Sequence, residues 1–303
     1  MTKQFRIGWL LLATGLSLAA PFACVQADEN LLNYVIGVET QPKGTWEFYQ
    51  WITQRKDKGI GQYEAWDYKT ELEYGFTDRL AGAIYLKGQS IDTQDILIDN
   101  YIPKDERYSY TPSGIQAALK YNFLSPIKDG IGVAMYIEPS WSWKDPHSGQ
   151  DKRSLSLETK LLLQKNFLDD TLVWLGNLGL ESTYARRKPI DNLPVGFEWV
   201  TDPEMELELT AATGISYRIA ANWYAGVELL YQSEFETEVN QERKSLFGGP
   251  TLHYGGRKWW WTLTWFPQIR GGGEEYPGQT DTDLHLIEKT KQEVRLKVGF
   301  NLF

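Results

Sequence analysis

The sequence of 303 residues sets 31 basic against 40 acidic side chains, a net charge of −9. No basic face of the kind nucleic acid demands is present, so nucleic acid is excluded as a partner. One cysteine rules out a disulfide framework, yet 13 Trp, 17 Tyr and 12 Phe accompany a negative mean hydropathy. A barrel in lipid reconciles the two: half of each strand meets acyl chains, half meets water, and aromatics gather at the interfaces.

The amino terminus reads as an export signal. Lys3 and Arg6 precede an apolar stretch over 7–20, and Val25-Gln26-Ala27 before Asp28 is a small-residue cleavage site, so 1–27 are expected to be removed. The apolar stretch is too short for a spanning helix. Pro21-Phe22-Ala23 before Cys24 fits the lipoprotein pattern poorly, and cleavage after Ala27 takes the only cysteine away. Residues 28–44 are expected as a short periplasmic segment, too little chain for a plug domain, and 45–303 as the barrel.

Twelve alternating segments follow, at 45–55, 64–75, 79–88, 113–123, 130–143, 153–165, 171–184, 204–217, 222–233, 244–254, 259–269 and 290–303. Their connections alternate between short turns (76–79, 124–129, 167–170, 218–221, 255–258) and longer charged loops (56–63, 89–112, 144–152, 185–203, 234–243, 270–289). An even strand count with loop lengths segregated in this way predicts an all-β, transmembrane, antiparallel up-and-down barrel. Its termini and short turns face the periplasm and its long loops the exterior.

Faces follow from the two-residue period. Met205, Leu207, Leu209, Ile215 and Tyr217 should meet lipid, as should Ile115, Ala117, Leu119, Tyr121 and Phe123, and Trp66, Tyr68, Leu72 and Tyr74. The first and seventh strands permit either phase, because Gln50-Trp51 and Val173-Trp174 interrupt the pattern, and a one-residue slip inverts a strand. Trp174, Trp223, Trp259, Trp261 and Tyr254 sit by short turns, and Trp141, Trp143 and Tyr231 by long loops, as two aromatic belts; Trp260 should point inward. The last strand alternates through Val294, Leu296, Val298, Phe300 and Leu302, as a barrel-closing strand should, although the terminal Phe303 falls out of phase.

Tyr74-Gly75-Phe76-Thr77-Asp78-Arg79-Leu80 resembles a strand-turn-strand signature of many proteobacterial outer-membrane barrels of unassigned role. The stretches 39–47 and 63–67 are similar to one such uncharacterised family over the mature length. The resemblance implies a barrel and an outer-membrane location, and carries over no functional residues. Lipid and lipopolysaccharide are the expected surroundings, with barrel-assembly machinery as a partner during biogenesis.

The inward positions hold the chemistry. Lumen-lining candidates are Asp67, Lys69, Glu71, Glu73, Lys120, Glu138, Glu158, Lys160, Glu181, Glu206, Glu208, Glu228, His253, Glu293, Arg295 and Lys297. A surplus of carboxylates fits a narrow, cation-preferring pore for small solutes or ions. Charges paired across strands fit a packed barrel with a structural or surface-interaction role. Enzymatic readings are weaker. No histidine stands in the His-x-Ser-Asn-Gly context of the outer-membrane phospholipase. Asp145-Pro146-His147 and Asp283-Leu284-His285 offer Asp–His pairs like those of omptin proteases, which nothing else here resembles. Asp92, Asp95 and Asp99 match no ordered oxygen cage for Ca²⁺ or Mg²⁺. The expectation is a non-enzymatic barrel without cofactor or metal.

Overall fold

A computed structural model describes residues 30–236 and 241–302. The leader, Cys24, the cleavage site and Phe303 lie outside the described residues. Twelve strands form one closed antiparallel barrel in which each strand pairs with its sequence neighbours and the last pairs with the first. They are β1 (Trp46–Lys56), β2 (Gln62–Thr77), β3 (Leu80–Gln94), β4 (Glu106–Leu124), β5 (Gly132–Lys144) and β6 (Asp151–Phe167). Then come β7 (Leu172–Arg187), β8 (Glu204–Ala220), β9 (Trp223–Glu236), β10 (Gln241–Gly255), β11 (Trp259–Gly273) and β12 (Gln292–Leu302). A single helical turn, α1 (Pro126–Asp129), sits in the β4–β5 connection. Closure runs in continuous register from Trp46 opposite Leu302 to Lys56 opposite Gln292. No described helix is long and apolar enough to cross a membrane.

Each strand lies where the alternation places it, but most extend further toward the long-loop end. The β3–β4 connection therefore shrinks from the expected 89–112 to 95–105. The outer face is apolar: Met205, Leu207, Leu209, Ile215 and Tyr217 on β8 and Ile115, Leu119, Tyr121 and Phe123 on β4 are exposed. Aromatics cluster at the short-turn rim, where Trp223 meets Tyr254 and Trp261, and Trp46 meets Tyr74. Trp141 and Trp143 pair edge-on at the opposite rim.

The two ambiguous strands are resolved. On β1, Trp51 points inward and its indole donates to Glu71 at 2.7 Å, while the Gln50 amide oxygen accepts from the Thr70 hydroxyl at 2.8 Å. On β7, Val173 and Leu175 are the buried, inward pair, and Trp174 faces out with its indole donating to Thr213 at 3.0 Å. Trp260 points inward, is buried and hydrogen-bonds Glu47.

Both ends of the lumen are occupied by the chain itself. At the short-turn end, residues 30–41 do not hang below the barrel as a periplasmic segment; they fold up into it. Leu31, Leu32 and Val35 pack on Val173, Leu175, Ala212 and Tyr224, and Val38 packs on Ala83, Ala118, Ala134 and Leu162. Removing these side chains from water stabilises the inward fold by roughly 1.5–3 kcal/mol for each large one, which a short segment left outside would forgo. At the other end, loops 95–105 and 274–291 form a small apolar core. It joins Ile96, Ile98, Ile102, Tyr276, Leu286 and Ile287 to Tyr63, Ala65 and Ile91 of the wall.

Candidate functional site: the charged lumen

Between these two plugs lie two polar cavities of about 340 and 480 Å³. They share Trp51, Lys69, Glu181, Glu208, Lys289, Glu293 and Arg295 as wall residues. Of the lumen candidates, all but Glu228 and His253 border one or both cavities. Glu228 lies beneath the amino-terminal segment. His253 is buried, with its Nδ1 at 2.7 Å from the Thr262 hydroxyl and its ring against Tyr224 and Trp260.

Antiparallel register sets one wall apart. Glu138 on β5 stands opposite Glu158 on β6, Glu158 opposite Glu181 on β7, Glu181 opposite Glu208 on β8, and Glu208 opposite Glu234 on β9. Five carboxylates thus form one continuous cross-strand row. Like charges in directly opposed positions repel, so the row costs stability unless counter-charges enter it. Most members have one. Lys160 reaches Glu158 at 2.7 Å, Lys289 from the 274–291 loop reaches Glu208 at 3.3 Å, and Arg243 takes Glu234 with two guanidinium nitrogens. Glu138 accepts from the Tyr136 hydroxyl. Glu181, at the centre, accepts from the Thr183 hydroxyl at 3.3 Å and makes no ion pair with a described cation.

The facing wall, on β12, β1 and β2, is balanced and aromatic. Arg55 grips Asp67 with two bonds of 2.7 and 2.9 Å. Lys69 lies 4.4 Å over the Trp51 ring and 4.5 Å over Tyr85, and Arg295 lies 3.9 Å over Tyr34. These rings offer cations a soft, replaceable partner. In a closed ring of twelve strands, β1 and β7 are six strands apart either way, so Glu181 and the Trp51–Lys69–Arg295 group confront each other across the cavity.

The amino-terminal segment is held chiefly through its backbone. The amides of Asn33, Tyr34 and Val35 converge on the buried Glu228 carboxylate at 3.1, 2.7 and 3.2 Å, and Thr251 and Thr264 hydroxyls donate to it at 2.8 Å. Successive amides form a concave anion nest, which is why a carboxylate without an ion pair is tolerated here. The Asn177 side chain accepts from Ile36 N at 2.7 Å and donates to Ile36 O at 2.9 Å, as a strand neighbour would. Gln164 accepts from Val38 N at 3.1 Å and Asn122 donates to Val38 O at 2.7 Å. The segment enters past the Tyr74–Leu80 turn. There Gly44 N donates to Gly75 O at 2.8 Å and Asp78 accepts from Lys43 N at 3.1 Å. A Cβ on Gly75 would fall 2.2 Å from Pro42 O, so this passage requires glycine.

The loop cap is different in kind. Arg243 binds Glu288 at 2.7 Å and Glu242 at 3.0 Å in addition to Glu234, and Lys58 donates to Ile287 O at 2.7 Å. Gln268 reads the loop backbone, donating to His285 O and Thr290 O and accepting from His285 N. Burial drives His285 down to about 3 and holds His147 well below the usual imidazole range, helped at His147 by Lys58 and Arg55. Arg243 and Lys289 overcome burial to hold Glu288 at about 2.

Neither loop Asp–His pair is joined by a side-chain hydrogen bond among the described residues. Asp145 spends its Oδ1 on its own turn, accepting from His147 N, Ser148 N and the Ser148 hydroxyl. Asp283 offers its backbone carbonyl to Gly271 N, while Asp281 pairs with Lys291. No group of three or more His, Cys, Asp or Glu able to hold a metal occurs among the described residues.

Sequence reasoning missed Glu234, because the ninth strand was expected to stop one residue earlier. It also missed Glu288 and Lys289, because loop charges read as solvated surface. The signal for the amino-terminal plug was the apolar residues at inward positions of β7, Val173 and Leu175, which blurred that strand's phase.

The closed twelve-stranded barrel with an apolar outer face, two aromatic rims and a charged lumen is the architecture of outer-membrane β-barrels. A model of a family of unknown function, DUF6662, matches residues 24–302, and the chain belongs to that family. Among solved structures, an outer membrane channel from Pseudomonas putida F1 aligns with a TM-score of 0.57 at 9% identity, over 88% of this chain and 98% of that one. The β domain of the Bordetella autotransporter BrkA aligns at 0.49 with 10% identity, over 86% and 99% of the two chains. The NanC porin aligns at 0.46 with 10% identity, over 84% and 100%. At such identities the likeness concerns the fold alone. No curated protein matches the sequence.

Proposed function

We propose that this barrel resides in the outer membrane as a narrow, passive channel for small polar solutes or ions, with a preference for cations. The observation that carries the reading is the Glu138–Glu158–Glu181–Glu208–Glu234 row beside the two cavities, whose central Glu181 makes no ion pair with a described cation. A row of carboxylates in a confined aqueous space raises the local cation concentration and repels anions. Lys69 and Arg295, held on aromatic faces, keep the opposite wall polar without filling it. Lipid and lipopolysaccharide cover the apolar belt, and the barrel-assembly machinery inserts the chain.

A second reading is a structural barrel that conducts nothing; its support is that both ends of the lumen are occupied by chain. Planar-bilayer recording of the refolded protein separates the two. Discrete current steps that scale with salt are expected, and a folded barrel silent at every salt and voltage would sink the channel reading.

A further inference from the structure

We propose that the short-turn half of the lumen is a peptide-binding site whose resident ligand is the chain's own segment 30–39, bound exchangeably so that its departure opens the lumen. The opening of the lumen rests on the channel reading above; the exchange itself does not.

Three observations point the same way. First, the wall recognises main chain. Glu228, Asn177, Gln164 and Asn122, from four separate strands, supply acceptors and donors to backbone groups of residues 33–36 and 38. The Asn33 side chain adds contacts to Thr264 Oγ1 at 3.0 Å and to the Thr262 and Arg295 carbonyls. Peptide-binding sites use this mode, taking affinity from backbone groups and selectivity from a few apolar pockets. Here the pockets take Leu31, Leu32 and Val35 on one side and Val38 on the other.

Second, each of those four wall groups is polar and would be satisfied by water once vacated. A hydrated carboxylate or amide nearly recovers its lost hydrogen bonds, so the polar part of the wall does not oppose departure, and the burial of Leu31, Leu32, Val35 and Val38 is what holds the segment in place. Third, the segment has no helix or strand of its own and leaves the rim through the 40–45 stretch, where Thr40 donates to Asp78 O at 3.1 Å, Gln41 donates to the Tyr49 hydroxyl at 3.1 Å, Thr45 N donates to Pro42 O at 3.1 Å and Gly44 takes a positive φ of 82°. That stretch is a natural pivot. The ligand class is therefore a short peptide with two adjacent large apolar residues, an amide side chain third and a β-branched residue fifth. Tethering supplies the resident copy at an effective concentration on the order of millimolar, so a free competitor must be offered at that level.

The test uses the mature-length chain starting at Asp28, refolded in lipid, with Val35→Cys as its single thiol. Val35 is 1% exposed, so a bulky maleimide reacts only when the segment leaves. Slow but complete labelling is expected. It should quicken at least ten-fold in a Glu228→Gln background, and quicken again with a millimolar synthetic peptide of residues 30–39 but not with its scrambled counterpart. A thiol that stays unreactive in all three conditions, yet labels fully in denaturant, would overturn the proposal. So would labelling that the matched and scrambled peptides accelerate equally. For the opening of the lumen, an Ile36→Cys/Asn177→Cys pair is recorded before and after reduction in the same bilayer. Openings that appear only on reduction support the gate, and identical currents in both states refute it. Thiol exchange in a protein that never conducts would leave the peptide site standing and remove the channel reading instead.

Discussion

The two ends of the lumen are closed by the same chain in opposite ways. At the short-turn end, wall side chains hold a bent segment by its backbone, with four buried apolar side chains and a carboxylate nest. At the long-loop end, two loops pack a hydrophobic core against the wall, and Glu288 joins a buried charge cluster that β9 and β10 build around Arg243. Opening the first closure exposes its four apolar side chains but returns its hydrogen bonds to water, whereas opening the second exposes carbon and also strands paired ions. The first is the part that moves more readily, and the second a lid that yields at greater cost and has a pH limit.

Substitutions should separate the two ends, and the largest effect belongs to the lid. Arg243→Leu leaves Glu234, Glu242 and Glu288 without their shared cation and should cost about 3–5 kcal/mol. A lower midpoint in heat-dependent gel mobility would register it, and an unchanged midpoint would show that the cluster adds nothing. Leu286→Ala, deep in the loop core, should cost about 2–5 kcal/mol. The loss should appear as protease cleavage within 274–291, with the Val35→Cys thiol unaffected.

Acid should loosen the lid as well. His285 and His147 are neutral in the fold with depressed pKa values, so their contribution is complete above the ordinary value of 6.5. It is lost as pH falls from there, toward about 3 for His285. The slope for each is at most about 1.4 kcal/mol per pH unit. Glu288 acts with the same sign lower down, its contribution being present above 4.5 and lost as pH falls through about 2. Hydrogen exchange in the loop, corrected for its intrinsic pH dependence, should rise between pH 6.5 and 4.5, and less steeply in His285→Gln. Exchange independent of pH would remove the histidines from the account. The smallest effect is expected from Gly75→Ala. Its Cβ collides with the backbone at Pro42 O and Gln41 O and should cost about 1–3 kcal/mol, displacing the entering segment while lid protection stays intact.

Much of the barrel was legible because strand alternation is a local property. The β8 run Met205, Leu207, Leu209 and the closing run Val294, Leu296, Val298 needed no tertiary knowledge to assign. The plugs were not legible, because what fills a lumen depends on which short segments find a complementary wall. The β7 pair Val173-x-Leu175 and the alanines Ala83, Ala118 and Ala134 are apolar at inward positions only because Leu31, Val35 and Val38 sit against them. Likewise Ile96-x-Ile98 and Leu284-x-Leu286-Ile287 were apolar patterns inside loops otherwise rich in charge, and the charge dominated the reading. The carboxylate row was hidden for a third reason. Its members are scattered over 97 positions from Glu138 to Glu234, and only the register aligns them.

Whether this row governs what enters the lumen is read from the reversal potential of single channels under a salt gradient. Wild type should reverse on the cation-selective side, and Glu181→Gln with Glu208→Gln should move the reversal toward zero. A wild-type reversal at zero or on the anion side, or one that the two substitutions leave in place, would contradict the account.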